Sequence, residues 1–224
     1  MADSKAVIAV LGGTGHEGAG LAARWAKAGF PVVIGSRDAG RAADAAAEMA
    51  TRTGGNVRGL ANADAAAAGE IVVLAVPYTG QQALAEEVRA HLGDKILIDV
   101  TVPLVPPKVA RVQLPEGGSA VEALQKKLGE SVRVVAAFQN VSAHQLADLD
   151  SDVNCDVLVA GDDVDAREVV CQLAKAIGIT AIHAGPLANS AAAEALTSVL
   201  IAINKRYKVA DGAGIRITGI PDLA

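Results

Sequence analysis

The stretch VIAVLGGTGHEGAGLAARWAKAG, from Val7 to Gly29, determines the fold prediction. It opens with a continuous apolar run, Val7–Leu11, which is typical of a strand buried on both faces of a parallel sheet. Four glycines follow within seven residues, and a helical pattern then runs over Ala19–Ala28. This order of strand, glycine-rich turn and helix predicts the first unit of a doubly wound α/β fold.

The glycine turn has the spacing of a dinucleotide-binding turn. We expect Gly13 to permit the tight turn, Gly15 to let the backbone approach a pyrophosphate, and Gly18 to let the helix pack against the strand. The free amides and the positive end of that helix would bind the phosphates. The alternative is a glycine turn used only for packing. Glu17 is unusual beside phosphates, so we expect its side chain to point away from them.

The end of the second predicted strand, Pro31–Gly35, favours NADP over NAD. NAD-binding folds usually place a carboxylate there for the ribose 2′-hydroxyl, whereas this strand ends in Ser36 and Arg37, with Arg41 one turn further on. A hydroxyl and two guanidinium groups suit a 2′-phosphate. Asp38 argues mildly for NAD, but we expect it to face solvent or to cap the next helix.

The remainder of the chain continues the alternation of short apolar strands and helices, which predicts a doubly wound parallel sheet of the Rossmann type. Asn62 or Asp64 is expected to cap the short third helix. The further predicted strands are Val57–Leu60, Ile71–Val76, Lys95–Val100, Arg133–Phe138, Asp156–Ala160 and Thr180–Ala184; the further predicted helices are Gly40–Thr53, Ala61–Gly69, Gln81–Leu92, Glu116–Leu128, Val164–Ile177 and Ala188–Lys208.

Composition disfavours several classes of protein. Aromatic residues are 2% of the chain and the net charge is −5, so neither stacking platforms nor a basic surface for nucleic acid is expected. No N-terminal leader pattern and no apolar run of about 18 residues is evident, so we expect a cytoplasmic protein without a membrane partner. The histidines are far apart in sequence, which predicts no metal site. Ser142 has no convincing partners for a hydrolase triad.

Short blocks along nearly the whole chain follow the order of one known family. With them the chain resembles the F420-dependent NADP oxidoreductases, also called NADPH-dependent F420 reductases. The blocks are Gly12-Gly13-Thr14-Gly15, Gly35-Ser36-Arg37, Val76-Pro77, Val102-Pro103-Leu104-Val105-Pro106, Ala137-Phe138-Gln139-Asn140-Val141-Ser142-Ala143, Gly161-Asp162-Asp163, Gly185-Pro186-Leu187 and Gly214-Ile215-Arg216-Ile217-Thr218-Gly219.

The resemblance implies an NADP-binding Rossmann domain over residues 1–150 and a smaller C-terminal α/β segment over 151–224 that completes a cleft. It also implies a homodimer, with the C-terminal helix region contributing. By similarity, the pyrophosphate would contact Thr14, Gly15, His16 and Glu17, the 2′-phosphate would contact Ser36, Arg37 and Arg41, and the nicotinamide half would be lined by Tyr78, Gln82, Leu104 and Ala143.

The activity that the resemblance implies is direct hydride transfer between the nicotinamide C4 and the C5 of the deazaflavin coenzyme F420, with no obligatory acid–base residue. The deazaflavin would lie near Gln139, Ala143 and Ala213. Some members carry histidine where this chain has Gln139, so another acceptor remains an alternative: a flavin, or a small carbonyl or imine. A third alternative is a non-catalytic NADP-binding protein.

Overall fold

The computed structural model describes residues 5–220 and confirms the doubly wound α/β prediction. Strands and helices alternate through most of the chain, as the apolar pattern predicts. The strands are β1 Ile8–Leu11, β2 Val32–Ser36, β3 Val57–Ala61, β4 Ile71–Leu74, β5 Ile96–Asp99, β6 Arg133–Ala136, β7 Asp156–Gly161 and β8 Thr180–Gly185. The helices are α1 His16–Lys27, α2 Ala39–Thr53, α3 Asn62–Ala68, α4 Tyr78–Val88, α5 Ala120–Leu128, α6 Ala143–Ala147, α7 Val164–Lys175 and α8 Ser190–Tyr207.

The strands described form one eight-stranded sheet in the order β3-β2-β1-β4-β5-β6-β7-β8. The first six are parallel and follow the order typical of dinucleotide-binding folds. The order of the strands reverses at the boundary between β1 and β4: β2 and β3 are added on one side of β1, and β4 and the later strands on the other. Ligands of open α/β sheets bind at such a switch point, beyond the carboxyl ends of the strands.

The core lies on both faces of the sheet, because neighbouring side chains of a strand point to opposite faces. In β1, Ile8 and Val10 belong to one buried cluster, whereas Ala9 and Leu11 belong to the other. The first cluster includes Trp25 of α1, whose indole N–H donates to the Leu173 carbonyl oxygen at 3.1 Å. The continuous apolar runs of the sequence are therefore strands covered by helices on both sides.

The C-terminal strands extend the same sheet with one change of direction. β7 pairs with β6 in the antiparallel sense, and β8 then pairs with β7 in the parallel sense. The predicted doubly wound parallel sheet is therefore confirmed except at this one antiparallel pair. The last described residues pack back on β7, where Asp156 accepts hydrogen bonds from Arg216 at 3.0 Å and from the amide of Ile217 at 2.7 Å.

Helix α8, with the short turn before it, is apolar enough and long enough to cross a membrane by composition alone. The segment Leu187–Tyr207 has a mean hydropathy of 1.3, and 33% of it is buried. Its buried side includes Ser190, Glu194 and Ser198. Such polar groups are expensive within a hydrocarbon layer, and Glu194 bonds instead to the start of α5. Asn189, Glu194 and Asn204 interrupt the segment, so the sequence shows no continuous apolar run of about 18 residues there.

Several helices differ from the sequence predictions; α1 and α4, for example, each begin three residues earlier than expected, at His16 and Tyr78. Helix α5 begins four residues later than expected, because Gly117 and Gly118 both have positive φ and Ser119 is the N-cap. The five-residue helix α6 was not predicted, since it is too short to show a helical pattern. Neither Asn62 nor Asp64 caps α3: the cap position is Ala61, and no side chain bonds there.

Candidate nucleotide-binding site

A cavity of about 490 Å³ lies at the carboxyl ends of β1, β2 and β4, next to the switch point of the sheet. All of its lining residues fall between Gly12 and Glu87. Five of the residues predicted to bind the cofactor are among them: Thr14, Gly15, Ser36, Arg37 and Arg41. The two sequence signals, the glycine turn and the end of the second strand, therefore meet in one place.

The glycine turn is shaped by contacts at three glycines. Gly12, rather than Gly13, has the left-handed backbone, with φ +81°, and a Cβ there would lie 2.3 Å from the Ala75 carbonyl oxygen. At Gly13 a Cβ would lie 2.9 Å from the Val10 carbonyl oxygen. Gly18 packs closely as expected, since its Cβ would lie 2.7 Å from the Gly12 carbonyl oxygen. The turn therefore needs Gly12 as well as the residues of the motif.

The N-terminus of α1 is open toward the cavity. Gly15 is exposed and takes the N-cap position, and within the described part of the chain no side chain accepts a hydrogen bond from the amides of the first turn. A Cβ on Gly15 would meet only the Gly12 carbonyl oxygen, at 3.3 Å. Free amides at the positive end of a helix are a binding site for phosphate. His16, also predicted to contact the pyrophosphate, is exposed at the start of α1 and lies outside the cavity lining.

The end of β2 supplies the positive charge. Arg37 and Arg41 are exposed and line the cavity beside Ser36. Asp38 also lines it, but its Oδ1 accepts from the Arg41 amide at 3.1 Å, so the carboxylate caps α2 as one of the sequence alternatives predicted. One wall of the cavity thus carries two guanidinium groups and one carboxylate that accepts a hydrogen bond from a backbone amide.

The opposite wall comes from α4 and was largely missed by sequence reasoning. It includes Pro77, Thr79, Gly80, Ala83, Leu84 and Glu87, together with Ala75 and Val76 at the end of β4. Tyr78 and Gln82, which the resemblance assigned to the nicotinamide half, are on the same helix but do not line this cavity. The sequence signal was Pro77 directly after the predicted strand Ile71–Val76, since a proline there marks where the chain leaves the sheet.

Gln139 is buried at the end of β6 instead of lining the cavity. Phe138, just before it, has φ +71°, a conformation uncommon for a non-glycine residue, and its ring packs edge-on against Trp25. Gln139 is 3% exposed, and its Nε2 donates to the Asp99 carbonyl oxygen at 2.8 Å. Its Oε1 has no hydrogen-bond partner among residues 5–220. This amide therefore ties β6 to β5 and keeps one acceptor free.

The remaining predicted positions lie away from the cavity. Leu104 is half-buried in the loop after β5. Ala143 begins α6, and Ala213 follows α8, where its amide donates to Asn204 Oδ1 at 2.6 Å. Gln145 of α6 donates to the Gly212 carbonyl oxygen at 2.8 Å, so the structure does bring the segments of Ala143 and Ala213 together.

Helix α6 is held in place by one arginine of α1. The Arg24 guanidinium donates to the carbonyl oxygens of Leu146 at 3.0 Å, Gln145 at 2.8 Å, Asp148 at 2.5 Å and Ser151 at 2.9 Å. Arg24 is only 9% exposed, so these carbonyl oxygens replace the water that would otherwise bind the buried guanidinium group. The short helix is thereby fixed by a long-range contact that sequence periodicity does not reveal.

Glu17 lies in the first turn of α1 but does not line the cavity. It is partly buried, and burial raises the pKa of its carboxyl group to about 8, with a further contribution from the negative charge of Asp99. Burial also raises the pKa of Asp99, although hydrogen bonds from Thr101 and Gln81 oppose that shift. At neutral pH, a protonated Glu17 places no full negative charge next to the phosphate-binding turn.

This shift predicts a pH dependence of stability. The Glu17 pKa rises from 4.5 to about 8 on folding, so the folded protein keeps a proton that the unfolded chain releases in that interval. The stabilisation that this bound proton gives to the folded state is complete below pH 4.5 and is lost as the pH rises through 8. The unfolding free energy falls over this interval by at most about 1.4 kcal/mol per pH unit. We expect Glu17→Gln to flatten the profile of unfolding free energy between these pH values, measured by urea denaturation.

The matched control for that measurement is Glu48→Gln, which changes an exposed glutamate of α2. This variant should keep the slope of the wild-type profile. An unchanged slope in Glu17→Gln would contradict the assignment of the bound proton to Glu17.

The comparisons with known proteins agree with this geometry. The family described as NADP oxidoreductase, coenzyme F420-dependent, matches residues 7–103. The F420-dependent NADP reductase of Methanothermobacter thermautotrophicus is 44% identical over 223 residues, covering 96% of each chain. The chain belongs to the F420-dependent NADP reductase family. The family member from Methanocaldococcus jannaschii is 42% identical and covers 95% of this chain and 98% of its own.

A solved structure supports the same family at the level of the fold. It is described as an F420-dependent NADP-reductase from Arthrobacter sp. FB24, and it is 28% identical with a TM-score of 0.77. The match covers 91% of this chain and 96% of that one. The fold of that structure therefore extends over nearly the whole chain.

Proposed function

We propose that the chain is an F420-dependent NADP reductase that transfers a hydride directly between NADP(H) and coenzyme F420. The observation that carries the proposal is the cavity at the switch point, which is lined by the glycine turn at the start of α1 and by Arg37 and Arg41. The identity of 42–44% to F420-dependent NADP reductases over nearly the full chain supports F420 as the hydride acceptor. In the direction of F420 reduction, NADPH, oxidised F420 and one proton give NADP⁺ and reduced F420.

The residues of the cavity fit the phosphate groups of NADP. A Cβ on Gly15 would meet only the Gly12 carbonyl oxygen, at 3.3 Å, and no side chain among residues 5–220 caps the first-turn amides of α1. Arg37 and Arg41 supply charge for a 2′-phosphate, while the carboxylate of Asp38 is engaged by the Arg41 amide. These contacts would hold the nucleotide across the strand ends, and NADP supplies the hydride-carrying nicotinamide.

For the second half of the site we propose the positions implied by the resemblance. The nicotinamide would lie near Tyr78, Gln82, Leu104 and Ala143, and the deazaflavin near Gln139, Ala143 and Ala213. The contact between Gln145 and Gly212, and the bonds from Arg24 that fix α6, support this placement because they hold these segments together. The chain's contribution to the reaction is to orient two rings face to face and to exclude water.

The test is a spectroscopic assay with purified protein, NADPH and oxidised F420. We expect loss of the visible absorbance of oxidised F420, matched mole for mole by oxidation of NADPH. A parallel cell containing FMN instead of F420 should react far more slowly. Turnover of FMN alone would assign the acceptor to the flavins, and tight NADPH binding with no turnover of either acceptor would indicate a binding protein.

We also infer the domain division at about residue 150, a homodimer and a cytoplasmic location. Exposed apolar side chains on α8 and in the segment after it support the dimer: Val199, Tyr207, Val209, Ile217 and Ile220. Sedimentation equilibrium should then give twice the chain mass of 22.5 kDa. Composition supports the location and the expectation of neither nucleic-acid nor membrane partners.

A further inference from the structure

Asn62 is a buried polar residue in the wall of the cavity, and its side-chain oxygen has no partner. It is 3% exposed and lines the cavity, and its Oδ1 makes no hydrogen bond within residues 5–220. A buried acceptor left unpaired costs about 1–3 kcal/mol. The expected role as a helix cap does not account for it, since no side chain caps α3. Because Asn62 lines the cavity, a ligand there is a candidate partner for this amide.

The sheet register places Asn62 beside the phosphate-binding arginine. Ser36 of β2 pairs with Ala61 of β3, so the next residues, Arg37 and Asn62, leave neighbouring strands side by side. Gly35 makes room for the amide, because a Cβ on Gly35 would lie 3.0 Å from Asn62 Oδ1. The absence of a side chain at Gly35 therefore lets the Asn62 amide pack against β2.

The surroundings of Asn62 fit a flat, nitrogen-rich ring. Helix α4 contributes the apolar side chains of Ala83 and Leu84 to the cavity lining, together with Thr79, Gly80 and Glu87. A carboxamide offers one acceptor and one donor group side by side, which matches the N6 amine and N7 of adenine. A phosphate group offers only acceptors, so it cannot satisfy the amide oxygen.

We propose that Asn62 recognises the adenine base of NADP, accepting from the N6 amine and donating to N7. The inference rests on the proposed function, since it names a further contact of the same nucleotide. Arg37 and Arg41 then bind the 2′-phosphate, and Asn62 distinguishes adenine from other bases. Base recognition and phosphate recognition are thereby assigned to different side chains of adjacent strand ends.

The test is calorimetric binding of NADP⁺ and of its hypoxanthine analogue, in which a carbonyl oxygen replaces the N6 amine. Wild-type protein should bind NADP⁺ about tenfold more tightly than the analogue. Asn62→Ala should lose that difference by weakening NADP⁺ binding while leaving the analogue nearly unchanged. The melting temperature of the ligand-free variant should not fall, because the substitution removes an unsatisfied buried group.

Arg37→Ala is the matched comparison. It should weaken both dinucleotides by the same factor and keep the preference for adenine. Equal weakening of both dinucleotides by Asn62→Ala would overturn the proposal in favour of a ribose or phosphate contact. A lower melting temperature with unchanged affinities would overturn it in favour of a structural role. If wild-type protein bound neither dinucleotide, the proposed function itself would fail.

Discussion

Replacing Arg37 by alanine should weaken NADP(H) binding by about 10- to 100-fold, a loss of about 1.5–3 kcal/mol for a charge-assisted contact. NAD(H) binding should change little, because NAD has no 2′-phosphate for the guanidinium to contact. Arg37 is exposed, and its side chain makes no hydrogen bond or ion pair within residues 5–220, so the variant should stay folded. Fluorescence titration of NADPH and NADH against both proteins measures the two affinities.

The salt dependence of the same titration gives a second readout. The side chain is exposed, so its attraction to a dianionic phosphate should weaken between 0.05 and 0.5 M salt, since the Debye length shortens over that range to a few ångströms. The difference between wild type and Arg37→Ala should shrink accordingly.

Arg52→Ala is the control for the change of net charge. Arg52 is also exposed and belongs to α2, but it lies in the last turn of the helix, at the end away from the cavity. This variant should leave both affinities unchanged. Equal weakening of NADPH and NADH by Arg37→Ala would contradict the assignment of Arg37 to the 2′-phosphate.

Local sequence patterns were sufficient for the part of the site built from strand ends. The glycine turn and Arg37 each follow a buried strand directly, and parallel strands bring their carboxyl ends to one edge of the sheet. Their meeting in a single cavity therefore follows from the order of elements alone. The preference for NADP was also readable, because the relevant charges lie within six residues of the end of β2.

The opposite wall and the anchoring contacts could not be read in this way. Ala83 and Leu84 line the cavity, but their place there depends on how α4 packs on the sheet, which no local sequence pattern specifies. Arg24 looks like an ordinary helix residue until its carbonyl partners more than 120 residues away are known. Asn62 was one of two candidates, with Asp64, for the cap of α3, because asparagine often occupies that position. Only the register of β2 and β3 places it beside Arg37.

Glu194 is another residue whose role depends on contacts distant in sequence, and replacing it has the largest expected effect on stability. It is a charged residue in an apolar helix, 1% exposed, and its carboxylate accepts from Ser119 Oγ at 2.7 Å and from the amides of Ala120 at 2.8 Å and Val121 at 3.2 Å. It therefore holds α8 to the positive end of α5. Burial raises the pKa of this carboxyl group, while those hydrogen bonds oppose the shift.

Glu194→Ala should lower the unfolding free energy by about 3–5 kcal/mol, because buried donors at the start of α5 lose their acceptor. That is a large share of the roughly 5–15 kcal/mol that stabilises a typical domain. Urea denaturation followed by circular dichroism, at one fixed protein concentration, measures the loss. Glu194→Gln keeps an acceptor oxygen but turns an amide group toward the same donors, so we expect an intermediate loss.

Glu122→Ala is the matched control, since it removes a carboxylate from the same end of α5. Glu122 bonds to Lys126 at 2.9 Å across the helix surface, where both side chains reach solvent. A surface ion pair of this kind contributes at most about 1 kcal/mol. If Glu194→Ala cost no more than Glu122→Ala, the carboxylate would not be what holds α8 to α5, and apolar packing between the two helices would have to account for the attachment of the C-terminal segment.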